Sequence, residues 1–228
     1  MAIFSSMRII GLAALLSFNG GFVDTAGFLG LQGLFTAHVT GNFVTLAATL
    51  VMGTHGVVVK LLALPEFVII VALACIAGSV LRARGLPALP ILLMAKVYFL
   101  LAFFVLAVAL GPFPDSDVPA ALLTGFAGVA GMAVQNAVQR VYLASIPPTT
   151  LMTGNTTQAV LDAVDLIWGA KQDETLAVRA RLARTLRGIV WFAGGCTVAA
   201  VLYYWSGFWC LLIPVVVGTA TAILRYED

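Results

Sequence analysis

The chain has 228 residues, of which 61% are apolar and only 10% carry a formal charge. A soluble domain devotes roughly a quarter of its residues to Asp, Glu, Lys and Arg, so a water-facing shell cannot be assembled here. A net charge of +2 says little about nucleic acid, but five of the twelve basic residues are gathered between Lys171 and Arg187, which fits a membrane-surface segment better than a phosphate-binding groove, and no nucleic-acid partner is predicted. Composition therefore predicts an all-α, polytopic membrane helix bundle: one membrane domain over residues 1–228, with membrane lipid as its constant partner.

The first apolar segment runs from about Met7 to Leu31 and is rich in glycine, with Asn19 and Asp24 in its second half. Arg8 followed by Ile9 to Leu16 has the outline of a signal peptide, but further membrane-like segments follow, so an uncleaved span is expected. His38 and the tripeptide Thr40-Gly41-Asn42 precede a second apolar stretch, Phe43 to Val59, with His55 inside it. A third stretch, Pro65 to Leu81, ends at Arg82 and Arg84. Pro90 to Leu110 makes a fourth, interrupted by Lys96, whose stem is expected to snorkel towards the near interface. Gly111 to Asp117 reads as a surface loop.

Pro119 to about Ala144 opens the second half with Gly125, Gly128 and Gly131 at helical spacing, then Gln135, Asn136, Gln139 and Arg140. Pro147 and Pro148 interrupt any helix before a second Thr-Gly-Asn, at Thr153, Gly154 and Asn155. The stretch Thr156 to Ala170 carries Asp162 and Asp165. An amphipathic interfacial helix is expected over about 171–187. Two closing spans, Gly188 to Tyr204 and Phe208 to Leu224, share an aromatic turn formed by Tyr203, Tyr204, Trp205 and Trp209.

The two halves have the same order of parts, giving pseudo-repeats of about 7–110 and 119–224. Asp24 precedes Thr40 by 16 residues and Asn136 precedes Thr153 by 17, while the Thr-Gly-Asn tripeptides stand 113 apart. If all eight apolar segments crossed, Arg82 and Arg84 would lie outside and Asp115 and Asp117 inside. If the stretches after Thr-Gly-Asn enter without crossing, six spans remain. The basic groups then face the cytoplasm with both termini, Lys60 alone dissenting among loop charges. Three spans per half make the repeat inverted, whereas eight spans make it parallel.

Intramembrane polar groups are the candidates for function. Asp24 either ties spans together, with Arg140 as a candidate partner, or couples protons or cations. Thr40, Asn42, Thr153 and Asn155 either cap helices or line a solute or ion path, with Asn19, His38, Gln135, Asn136 and Arg140 beside them. Asp162 and Asp165 share a helix face without further ligands, so no metal is predicted. Cys75, Cys196 and Cys210 lack metal or redox spacing. No nucleotide loop, HExxH or supported nucleophile is present, so neither an enzyme nor a cofactor is expected.

The runs Ser17 to Phe28 and Gly33 to Asn42, with Gln135-Asn136, Arg140 and Thr153-Gly154-Asn155, resemble the YoaK-like family of bacterial inner-membrane proteins of unknown function. The resemblance implies a multi-span protein of the bacterial inner membrane and supplies no substrate or catalytic residue. Repeat and polar span ends together predict a secondary transporter of a small solute, with proton coupling through Asp24. A channel with re-entrant elements and a non-transporting scaffold or accessory protein are the alternatives, and a homo-oligomer is compatible with each.

Overall fold

The computed structural model describes residues 2–169 and 175–223, with side chains from Gly11 onward. Lys171 and Arg225 of the expected basic groups fall outside the described residues, as do the first residues of the expected interfacial helix. The helices are α1 (Ala2–Gly30), α2 (Gly41–Met52), α3 (Val57–Ala83), α4 (Ala88–Leu110), α5 (Pro119–Tyr142), α6 (Met152–Trp168), α7 (Thr175–Ser206) and α8 (Leu212–Ile223), with a 3-10 turn at Gly207–Leu211 before the last. The chain is thus an all-α bundle.

Backbone chemistry sets the breaks. Gly53 and Gly56 take left-handed conformations, φ 65° and 94°, and divide the apolar tract Phe43 to Val59 between α2 and α3. Lys60 consequently lies in the first turn of α3 rather than in a loop, at the end of the bundle that carries Asp117. At 1.5 Å per residue the 12 residues of α2 extend about 18 Å and the 17 of α6 about 26 Å, both short of a hydrocarbon core of roughly 30 Å. Among the described residues, five helical stretches are long and apolar enough to cross: Gly11–Gly30, Val57–Ala83, Ala88–Leu110, Pro119–Tyr142 and Thr175–Ile223. The last includes α7, the 3-10 turn and α8. The basic residues Arg179 to Arg187 form the opening turns of the continuous helix α7, not a separate element.

Close contacts give the helix directions. Gly188 of α7 lies near Ser17, Gly195 near Phe18 and Phe22, and Tyr203 near Gly30, so α1 and α7 run parallel. Phe208 meets Gly30 whereas Gly218 meets Asn19, so the chain has reversed at Gly207 and α8 descends along α1. Similarly, α3 runs parallel to α5, with Val59 at Gly125 and Tyr142 at Gly78, while α4 is antiparallel to α5, with Phe103 at Gly128 and Leu100 at Gly131. Helix α4 also packs on α8; α2 rests on α3 and α6 on α7. A Cβ at Gly21 or Gly195 would overlap the Phe192 or Phe18 carbonyl group, so glycine permits the backbone approach of α1 and α7.

The distribution of polarity is inverted relative to a water-soluble bundle. Val68, Ile69, Leu73 and Ile76 on α3 are 55–60% exposed, whereas Asn19, Lys96 and Gln135 are wholly buried. Such a perimeter suits lipid tails, and the charged residues of the helix ends suit the two water layers.

Candidate functional site

Past Gly30 the chain turns through Gln32 and Gly33, both at positive φ, and folds back along α1. The fold-back is fixed by Asp24, a turn and a half before the helix ends. Its Oδ1 accepts from the Ala37 N–H at 2.7 Å, and from the Thr36 hydroxyl and His38 N–H at 3.4 Å. Its Oδ2 lies 2.6 Å from His38 Nδ1. The buried carboxylate therefore satisfies loop N–H groups that would otherwise lack partners. Arg140 is exposed at the end of α5 and is not its partner; His38 takes that position instead.

The second anchor is Asn42. Its Oδ1 accepts from the Phe35 N–H and its Nδ2 donates to the Phe35 carbonyl, both at 2.8 Å, as a paired strand would. Helix capping, one of the two roles left open for Thr-Gly-Asn, is not performed by Thr40, which makes no side-chain cap bond and is exposed, while Asn42 clamps the loop. An open cavity of about 490 Å³ lies between α1, this loop, α2 and α7. Phe28, Phe35 and Phe192 supply its apolar wall, and Asp24, Thr25, His38, Thr40 and Cys196 its polar positions. The His38 ring sits edge-on to Phe35 and Phe192, with centroids 6.1 and 5.8 Å away. A carboxylate and an imidazole at this distance can share or hand over a proton beside an apolar guest.

The second half repeats these parts in altered chemistry. Past Tyr142 the chain returns along α5, where Asn136 Oδ1 accepts from the Thr150 hydroxyl at 2.7 Å and Gln135 Nε2 donates to Thr149 Oγ1 at 3.1 Å. Asn155 Nδ2 donates to the Pro148 carbonyl at 2.7 Å, seven residues back, the separation that also joins Asn42 to Phe35. Leu151, not Thr153, is the residue before α6, and Thr153 is exposed in the first turn. Seven residues after each Asn, a cation from the next helix grips the short one. Lys60 donates to Thr49 at 2.8 Å, and Arg181 makes a forked pair with Asp162, its shortest contact 2.6 Å. Asp162 is thereby engaged apart from Asp165, and no cluster of metal-binding side chains occurs among the described residues.

Of the residues singled out in the sequence, Asp24, His38 and Thr40 line the cavity, and Asn42 clamps the loop that bears Phe35. Gln135, Asn136 and Asn155 gather at the second fold-back. Asn19 lies deeper, its Nδ2 donating to the Pro214 carbonyl at 3.2 Å. Sequence reading passed over Phe192, which has no local signal, and misplaced Lys96. That side chain is wholly buried and does not snorkel, because its face of α4 packs on the bundle.

An apolar perimeter, buried polar groups and long apolar helices define a multi-pass α-helical membrane protein. The chain belongs to the family described as Protein of unknown function (DUF1275), whose model matches residues 12–224, in agreement with the YoaK-like resemblance. No curated protein and no solved structure matches the chain.

Proposed function

We propose that the chain is a secondary transporter of a small solute in the bacterial inner membrane, made of two inverted halves and coupled to protons through Asp24 and His38. In this reading α1, α3, α4, α5, α7 and the run from the 3-10 turn through α8, Gly207 to Ile223, are six spans, and α2 and α6 are re-entrant. The observation that carries it is the pair of fold-backs from opposite ends of the bundle. One meets α1 at Gly27 through Thr36, the other at Gly20 through Thr149 and Thr150. These points are about 10 Å apart along the helix. Broken elements that approach one another this closely along one helix suit a site exposed alternately to either side.

The packing neighbours support the two-fold relation. Exchanging α1 with α5, α2 with α6, α3 with α7 and α4 with α8 turns the parallel α1–α7 contact into α5–α3, and the antiparallel α1–α8 contact into α5–α4. The α4–α8 and α1–α5 contacts map onto themselves. An inverted repeat reverses each half relative to the membrane, so a conformation open to one face has a counterpart open to the other.

Asp24 and His38 border the cavity, so their proton can change place when a guest enters. Purified protein in sealed liposomes tests the proposal: an imposed proton gradient should drive accumulation of a solute from a panel of small metabolites. Asp24→Asn should abolish gradient-driven uptake by at least ten-fold while the protein remains folded. Undiminished gradient-driven uptake by that variant would refute proton coupling. Unsaturable flux at channel rates would refute the carrier mechanism.

A further inference from the structure

Three wholly buried side chains, Lys96, Asn19 and Gln135, each retain a polar atom without a hydrogen-bond partner: Lys96 Nζ, Asn19 Oδ1 and Gln135 Oε1. Their helices bring them to one level. On the α4–α5 contact, Phe103 meets Gly128 and Leu100 meets Gly131; because the helices are antiparallel, the next turn sets Lys96 against Gln135. Gln135 Nε2 reaches the Leu16 carbonyl of α1 at 2.9 Å, one turn before Asn19. From the other side, Gly218 of α8 lies against Asn19 Nδ2 and against Val97 and Leu100 of α4.

The amide orientations follow from their neighbours. Asn19 Nδ2 faces the Pro214 carbonyl and Gln135 Nε2 faces the Leu16 carbonyl, and carbonyl oxygens accept only. Turning either amide over would oppose two oxygens, so Oδ1 and Oε1 remain the free acceptors. Helix register thus places the residues that bear one amine and two amide oxygens, all without partners, at one level of the α1, α4, α5 and α8 packing. Unmatched buried polar groups are costly, and three at one level point to a guest that completes them.

We propose that Lys96, Asn19 and Gln135 form an interior binding site for a small amino acid. The carboxylate accepts from Lys96 Nζ, and the ammonium donates to Asn19 Oδ1 and Gln135 Oε1. A zwitterion suits the constellation because it brings the acceptor and the donors in one molecule and adds no net charge to the bundle. Neither a simple anion, which would meet the two oxygens unfavourably, nor a simple cation, which would meet the lysine, satisfies all three. The physiological role of the site as a solute station rests on the transport reading above, whereas binding itself does not.

The test uses the full chain in lipid nanodiscs, with thermal unfolding followed as glycine, alanine or serine is titrated. At least one should raise the midpoint saturably, with acetate and methylammonium at least ten-fold weaker. Lys96→Met keeps the side-chain volume and removes the unpartnered amine, so its own midpoint should equal or exceed that of the wild type. Its apparent affinity for the amino acid should fall at least ten-fold, and Gln135→Leu should weaken binding as well. If Lys96→Met fails to fold, Lys96→Gln serves in its place with the same expected loss. Absence of any saturable shift in the wild type overturns the proposal, as does an equal shift in wild type and lysine variant. Flux measurements stand apart: binding without flux would count against the transporter, and flux without binding against this site.

Discussion

At the residue scale, the side chains that hold the fold-backs replace secondary structure in a place where water cannot do so. Asn42 bonds both polar groups of the Phe35 backbone, whereas only one bond joins Asn155 to the Pro148 carbonyl, proline having no N–H to offer. A buried backbone group left without a partner costs about 1–3 kcal/mol. Asn42→Ala should therefore lower unfolding stability in nanodiscs by at least about 2 kcal/mol, and Asn155→Ala by about half as much. Equal losses would mean that the two asparagines do not act through these carbonyl and amide contacts. The repeated tripeptide was legible in the sequence. Its partner seven residues upstream was not, because the loop conformation that brings Phe35 back is not a local periodicity.

At the element scale, α3 begins at an unusual cap. Asp117, from the loop between α4 and α5, accepts the N–H groups of Gly56, Val57, Val58 and Val59 at 2.9–3.1 Å. A carboxylate so placed also meets the positive end of the helix dipole. Its own N–H donates to Asp115, whose Oδ2 lies 3.4 Å from His55. This joins the start of α3 to the start of α5. Asp117→Ala should lower stability by about 2 kcal/mol or more, as loss of a charged multi-bond cap, and Asp117→Asn should recover part of it. Unfolding midpoints of the three proteins decide the matter. The acidic loop was legible as a loop from its proline and aspartate content. Its role as a helix cap was not, since 58 to 61 residues separate Asp117 from the backbone it serves.

At the scale of the molecule, the six-span reading makes a topological prediction. Residue 2 and Arg84 should lie on one side of the membrane and His55 on the other, because α2 returns to the side from which its loop entered. Single cysteines at His55 and Arg84, in a background with Cys75, Cys196 and Cys210 replaced by alanine, should react with an impermeant maleimide from opposite sides. An epitope tag at the start of the chain should be accessible from the same side as Arg84. Eight crossings would instead place the tag opposite Arg84. The ends of the bundle differ in charge as this requires: Arg82, Arg84 and Arg140 terminate α3 and α5 at one end, and Asp115 and Asp117 occupy the other.

The sequence by itself determined that this is a helical membrane protein of the family it resembles, because bilayer insertion depends on apolar length and charge spacing, and both are linear properties of the chain. It also marked Asp24 and the paired Thr-Gly-Asn motifs, since an acid within an apolar tract and a repeated tripeptide are conspicuous without coordinates. Tertiary structure decided what those residues touch. His38 rather than Arg140 faces Asp24; Lys96 is enclosed because one face of α4 turns inward; and Thr49 and Asp162 are held by cations eleven and nineteen residues further on. Such choices depend on the rotation of each helix about its own axis and on where a broken segment turns back. Packing between helices sets both, and hydropathy along the chain carries no record of either.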